Sequence, residues 1–197
     1  MWDSGVCGMI RITSQQKDGV WFSLAVNEKD QLVACSFSDR SKRDAEESVM
    51  GTIPRSQIER GGSVDPSMFQ EIYGAYSGKA TGQLKSFDLS NVSEFRRRVY
   101  SLLQAIPSGK VATYGALAKK VGGKRYARAV GTAVATNPLS IIIPCHRVVP
   151  ASLKVGNYGM PGRKPSEGGY VKRGLLEREG VVFRGEKVSA ESLWKPE

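Results

Sequence analysis

Stop signals cut the middle of this chain into short pieces, and that punctuation limits its fold more than any other feature. Pro107-Ser108-Gly109, Gly122-Gly123 and Asn137-Pro138 each close a run with helical spacing. Ahead of the first lies "NVSEFRRRVYSLLQAIPSG", with Asn91 or Ser93 as N-cap and Phe95, Val99, Leu102, Leu103 and Ile106 on one face. Next comes "TYGALAKKVGG", a short helix capped by Thr113, and after a basic turn "YARAVGTAVAT" is another. Two short helices joined by a tight Gly-containing turn, the second flanked by Lys and Arg, have the shape of a helix-turn-helix. Many ordinary helical pairs share that pattern.

The first ninety residues carry other signals. "VWFSLAV" and "QLVACSF" are strand-like runs joined by "NEKD", which predicts a hairpin. "SKRDAEESVMG" predicts an exposed helix. "DPSMFQEIYGAYSGK" predicts a second, with Asp65 as N-cap, Pro66 at the first helical position and Gly78 past the end. "QLKSFDL" predicts one more strand, and "LSIIIPC" a buried one that ends at Cys145. The expected fold class is α+β. A small N-terminal α/β domain over residues 1–90 (strand hairpin plus helices) is followed by a mostly helical C-terminal domain over 91–197 with the helix-turn-helix.

A chain of 197 residues has room for one generous domain or two small ones. No apolar run approaches ~18 residues, so no membrane span is expected. The opening "MWDSGVCGMIRI" lacks the basic-then-apolar layout of a signal peptide, which predicts an intracellular protein. Cys7, Cys35 and Cys145 make no disulfide framework, and Cys7 and Cys35 pair only if their strands are neighbours. With one histidine and no CxxC, these residue types do not supply a zinc site, so neither metal nor cofactor is expected.

Charge is unevenly spread. The formal net charge is +10, yet no Asp or Glu lies between Glu94 and Glu167, an interval with thirteen Lys and Arg. Removing those thirteen charges leaves −3 for the rest of the chain. A single-sign block of this length favours a polyanion as partner over a merely solvated face. Within it, Ala127, Ala129, Gly131, Thr132, Ala133 and Ala135 give one helix a surface of small residues, with Arg128 as its one long side chain. Such a surface packs closely inside a protein, or approaches a groove without reading base edges. In the second case Arg128 fills the gap left by a base drawn out of the stack.

The same block holds "IIIPCHRVV", where the only imidazole, His146, follows a thiol, Cys145. In extended backbone the two side chains point to opposite faces, so the chain must turn after Pro144 or a water must connect them. Imidazole then takes the thiol proton and lowers a pKa of about 8.5. An inert buried cysteine beside a satisfied histidine is the other reading.

"PCHRVV", preceded by "ATYGALA", "YARAVGTA" and "TNP" and followed by "VGNYG" and "LLEREG", resembles the O6-alkylguanine-DNA alkyltransferases over roughly residues 90–183. The resemblance implies single-turnover transfer of an alkyl group from O6-alkylguanine in duplex DNA (and, less well, O4-alkylthymine) to Cys145, after the nucleotide is flipped. It implies a monomer acting on double-stranded DNA, without a membrane. His146 would act as base through a water, Glu179 would orient the imidazole, Asn137 would brace the turn, and Tyr114 would donate toward the departing guanine. Thr113, Lys124, Arg125, Ala127, Arg128, Ala129 and Gly131 would face the duplex. Tyr114, Val148, Val155, Gly156, Asn157, Tyr158 and Gly159 would wall the base pocket, and Arg147 would anchor the turn. Gly159 departs from relatives with Ser, and "MPGRKPSEGGY" is longer than usual. Two rivals remain: a non-catalytic lesion-binding relative, in which the acceptor cysteine is replaced, and a cysteine hydrolase, for which no Gly-rich elbow surrounds Cys145.

Overall fold

The computed structural model describes residues 8–54, 57–79, 86–160 and 163–195, so Cys7 and any pairing it makes lie outside the described residues. The chain divides into two compact units.

The first unit runs to Ala75 and includes the stretch ending at Ser93 together with Pro138–Ile142. Its sheet has the order β3-β2-β1-β4, with β1 Ile10–Lys17, β2 Val20–Val26, β3 Leu32–Ser38 and β4 Ile58–Arg60. The predicted hairpin is β2–β3, antiparallel with Phe22 opposite Phe37. Strand β1, which the sequence patterns did not single out, pairs antiparallel with β2 and parallel with β4. Helix α1 (Lys42–Met50) starts where Ser41 Oγ accepts the Asp44 N–H. It is not the exposed helix expected, because Ala45 and Val49 are buried, Val49 in one cluster with Ile10, Ile12, Ala25, Val33 and Ala34. Helix α2 (Pro66–Tyr76) follows Asp65, whose carboxylate accepts the Ser67 N–H at 2.9 Å. Of "QLKSFDL", Phe87 makes an isolated bridge to Leu32, while residues 83–85 lie outside the described residues.

The predicted "LSIIIPC" strand is a correction. Leu139 makes one bridge to Cys35, Pro138 O accepts the Cys35 N–H at 2.8 Å, and the chain then turns with Ile141 at φ +76°. A β-branched residue in that region is strained, which no periodicity of apolar residues reveals.

The second unit contains α3 (Glu94–Gln104), β5 (Ala112–Thr113), α4 (Tyr114–Val121), a 3₁₀ turn Lys124–Tyr126, and α5 (Ala127–Ala135). It continues with a 3₁₀ turn Cys145–Arg147, β6 (Val148–Val149), α6 (Pro165–Arg178), and the small pair β7 (Phe183–Arg184) and β8 (Lys187–Val188). Val99, Tyr100 and Leu103 of α3, Leu117, Ala118 and Val121 of α4, and Val130, Ala133 and Val134 of α5 are buried, so the three helices share one apolar interior. Helices α4 and α5 form the helix-turn-helix. Thr113 Oγ1 accepts the Ala116 N–H at 3.1 Å, and Gly122, at φ +142°, ends α4 in a conformation closed to other residues. Parallel pairing of β5 with β6 sets Ala112 opposite Val148 and Thr113 opposite Val149. The start of α4 thus lies beside the Cys145–Arg147 turn.

Residues Tyr76–Ala80 also belong to the second unit. Gly78 (φ +72°) lies where a Cβ would collide with the Arg178 carbonyl at the end of α6, and the Arg178 guanidinium stacks on Tyr76 at 4.3 Å. Gly78→Ala is expected to destabilise the protein by about 1–3 kcal/mol, from backbone strain and overpacking together. Urea unfolding with an unchanged midpoint would show that neither is present.

Candidate active site

The turn after Pro144 converts the neighbours Cys145 and His146 into parts of one buried cluster, both side chains lying almost entirely out of solvent. The Cys145 N–H and the Asn137 side-chain amide both donate to the Ile143 carbonyl, at 2.7 and 2.8 Å. The Arg147 N–H closes the turn onto Pro144 O at 3.0 Å. Cys145 Sγ lies 3.9 Å from the Tyr158 hydroxyl, the long distance typical of a sulfur contact.

Glu179 caps the C-terminus of α6, with Gly180 (φ +83°) turning the chain away behind it. Its side chain is 3% exposed and receives the His146 ring nitrogen Nε2 at 2.8 Å. It also receives Nε and Nη2 of Arg147, each at 2.8 Å. Arg147 Nη1 reaches the Ile106 carbonyl at 2.6 Å. Burial by itself pushes the Glu179 carboxyl up, but hydrogen bonds and charge from His146 and Arg147 outweigh it and hold the pKa at about 2. Glu179 is therefore an ionised acceptor, which requires the proton of His146 to sit on Nε2. Burial lowers the His146 pKa by more than the hydrogen bond and charge of Glu179 raise it, and the charges of Arg147 and Lys172 add to the lowering. The ring is neutral. Its Nδ1 is then a bare lone pair, buried and without a hydrogen-bond partner among the described residues.

Burial also pushes the Cys145 thiol up, while hydrogen bonds from Asn137 and Tyr158 and the charge of Lys172 pull it down. Lys172 was not anticipated from sequence. It is 2% exposed on α6, donates to Val148 O at 2.6 Å, and has its pKa lowered by burial to about 8. A signal existed, because Gly168, Lys172, Leu175 and Leu176 form one helical stripe and the two leucines mark its inner face. Tyr114, the first residue of α4, is half-buried with its pKa raised by burial and by the nearby Cys145. Its phenol stays protonated.

The other anticipated residues divide. Val148 is buried in β6 and Tyr158 is buried beside Cys145. Gly156 (φ +74°) packs its backbone against Pro150 near Lys172. Asn157 and Gly159 are exposed, and nothing lies within 4 Å of where a Gly159 Cβ would sit. Val155 packs instead on the apolar cluster of Val111, Val149, Leu176, Val181 and Val188. A Cβ on Gly168 would collide with the Tyr158 carbonyl and the Asn157 side chain, so its absence seats this loop on α6. On the helix-turn-helix, Lys124, Arg125, Arg128 and Ala129 are exposed, Ala127 and Gly131 are half-buried, and a Cβ on Gly131 would meet open space. The small residues at 129, 132 and 135 are thus not covered by the protein's own packing.

Residues 94–181 match the family described as 6-O-methylguanine DNA methyltransferase, DNA binding domain. A methylated-DNA–protein-cysteine methyltransferase of Mycolicibacterium paratuberculosis is 46% identical over 92 residues, 45% of this chain and 54% of that protein. One from Methanosarcina acetivorans is 36% identical over 131 residues, 65% of this chain and 76% of that protein. The match thus spans about half the length of the first relative and three quarters of the second. Among solved structures, the O6-methylguanine methyltransferase of Mycobacterium tuberculosis superposes with a TM-score of 0.65 at 27% identity, covering 88% of this chain and 93% of that one. The M. tuberculosis OGT in complex with DNA gives 0.67 at 26% identity, covering 86% and 92%.

The clamp on Glu179 has a pH signature. Its folded pKa is depressed, so the stability it brings is complete above about pH 4.5 and is lost as pH falls toward 2, roughly 3 kcal/mol in all. His146, also depressed, adds a loss of the same sign that begins below about pH 6.5, where the unfolded chain takes up its proton first. Urea midpoints should therefore fall on acidification, and Glu179→Gln should be weaker at neutral pH with a flatter profile below pH 4.5. A parallel acid profile in that variant would refute the clamp.

Proposed function

The chain belongs to the methylated-DNA–protein-cysteine methyltransferase family, and on that premise we propose that it repairs alkylated guanine by accepting the alkyl group on Cys145. The observation that carries this is the bare Nδ1 of His146, held by the Glu179–Arg147 clamp one residue from the buried thiol. Burial leaves Cys145 a thiol at rest, so a base must act during transfer. The thiol proton passes through one water to Nδ1, while the Nε2–H stays on nitrogen and goes on donating to the Glu179 carboxylate. The sulfur lone pair attacks the alkyl carbon, the bond from that carbon to O6 breaks, and its electron pair goes to the guanine. Tyr114 supplies a proton to the departing base, and the proton on His146 makes good that loss through solvent. Lys172 steadies the sulfur's negative charge before the new bond forms. The thioether does not hydrolyse under mild conditions, so each molecule acts once.

O6 lies inside the duplex, so the nucleotide must leave the stack at a cost of a few kcal/mol. The exposed small-residue face of α5 with Arg128, and the basic turn Lys124–Tyr126, suit close approach to DNA with one long side chain to fill the gap. Phosphate contacts from the acid-free block offset the cost.

Mixing the protein with a duplex carrying one O6-methylguanine should add one methyl to the intact mass, saturating at one per chain and mapping to Cys145. Cys145→Ala should bind duplex normally and gain nothing. Retained lesion binding with no mass gain in the parent protein would assign it to the non-catalytic class. Arg128→Ala should slow repair in duplex more than reaction with a free base analogue; equal losses would remove Arg128 from flipping. Affinity should fall with salt at a log–log slope of roughly −0.9 per phosphate contacted.

A further inference from the structure

Tyr100 is the largest fully buried side chain among the described residues, and it takes no part in the chemistry above. It projects from α3, and its hydroxyl lies 3.2 Å from the Ala133 carbonyl and 3.1 Å from the Thr136 carbonyl. Both carbonyls belong to the C-terminal turn of α5, where a helix has no backbone donors left for its last carbonyls. The Thr136 hydroxyl bonds back to Thr132 O at 2.8 Å, so the phenol is the donor that reaches this end from another helix. The next residue is Asn137, whose amide holds the same Ile143 carbonyl that receives the Cys145 N–H. A short path of hydrogen bonds thus leads from α3, through the end of α5, to the acceptor cysteine.

We infer that Tyr100 is a positioning residue for alkyl transfer. Its hydroxyl fixes the C-terminal turn of α5, and so sets Asn137 where it can both brace Ile143 and stabilise the Cys145 sulfur. The inference deepens the alkyl-transfer reading and rests on it. Helix α5 also carries Arg128 on its outer face, so one buried hydroxyl fixes the spacing between the residue proposed to enter the duplex and the residue that takes the alkyl group. Burial raises the Tyr100 pKa to about 12, which keeps the phenol a donor throughout the working pH range.

Tyr100→Phe removes the oxygen alone. Two measurements apply: the pH profile of Cys145 carboxamidomethylation by iodoacetamide, followed by peptide mapping, and single-turnover methyl transfer from an O6-methylguanine duplex. The expected result is a profile midpoint shifted to higher pH, transfer slowed roughly two- to tenfold as for one net hydrogen bond, and unchanged duplex affinity. Position 100 carrying 4-aminophenylalanine, which keeps a donor, should restore both readouts. The 4-fluoro analogue, which fills the space and donates nothing, should not, and this pair decides the matter if the Phe variant folds poorly. An unchanged midpoint and rate in Tyr100→Phe, or equal behaviour of the amino and fluoro analogues, would overturn the inference. If the parent protein transfers no methyl group, the functional reading falls while the iodoacetamide profile still decides the role of Tyr100.

Discussion

Glu179 is a carboxylate taken out of water at the C-terminal end of a helix, where desolvation and the helix dipole both oppose its charge. Three charge-assisted hydrogen bonds, from His146 once and Arg147 twice, answer that opposition. At roughly 1.5–3 kcal/mol each they are of the same order as the several kcal/mol that desolvation costs. Together they outweigh it, which is why the carboxylate stays ionised with its pKa at about 2. Much of the second unit's geometry then follows. Arg147 must face the end of α6 and also reaches Ile106, which requires the tight turn after Pro144. The turn sends Cys145 toward Tyr158 and His146 toward Glu179. The clamp also fixes a tautomer, and with it which ring nitrogen is a base.

Opposed influences act on the Cys145 thiol, and burial outweighs the rest. Burial keeps the sulfur protonated, and Asn137, Tyr158 and Lys172 each favour the thiolate. A buried thiol resists stray electrophiles and oxidants, which suits the proposed role of a group that is used once.

The helix-turn-helix was legible because its signals are local. Thr113 caps, Gly122 stops, and each acts within a few residues of where it stands. The hairpin β2–β3 was legible for the same reason. Strand β1 was missed because Ile10 and Ile12 alone carry its alternation before the polar run that follows. The error over "LSIIIPC" has a different origin. Three consecutive isoleucines suit a strand, but Ile141 stands at φ +76°, where the chain turns. Lys172 was passed over despite sharing a stripe with Leu175 and Leu176, because a lysine in a helix ordinarily reads as solvent-facing, and Tyr100 because a tyrosine reads as core. Only tertiary packing shows what their polar ends touch.

The missing Cβ of Gly168 ties the start of a surface segment to its end. Asn157 and Tyr158 rest directly on the helix backbone at Gly168, so two points about ten residues apart along the chain are pinned to one spot. Closing a longer excursion costs little more than closing a short one, since the penalty grows only with the logarithm of length. A change in the length of the connection ahead of α6 therefore need not move Tyr158 from the sulfur of Cys145 while Gly168 is kept. Under the alkyl-transfer proposal, the contact beside the reacting sulfur is thereby insulated from changes in that connection.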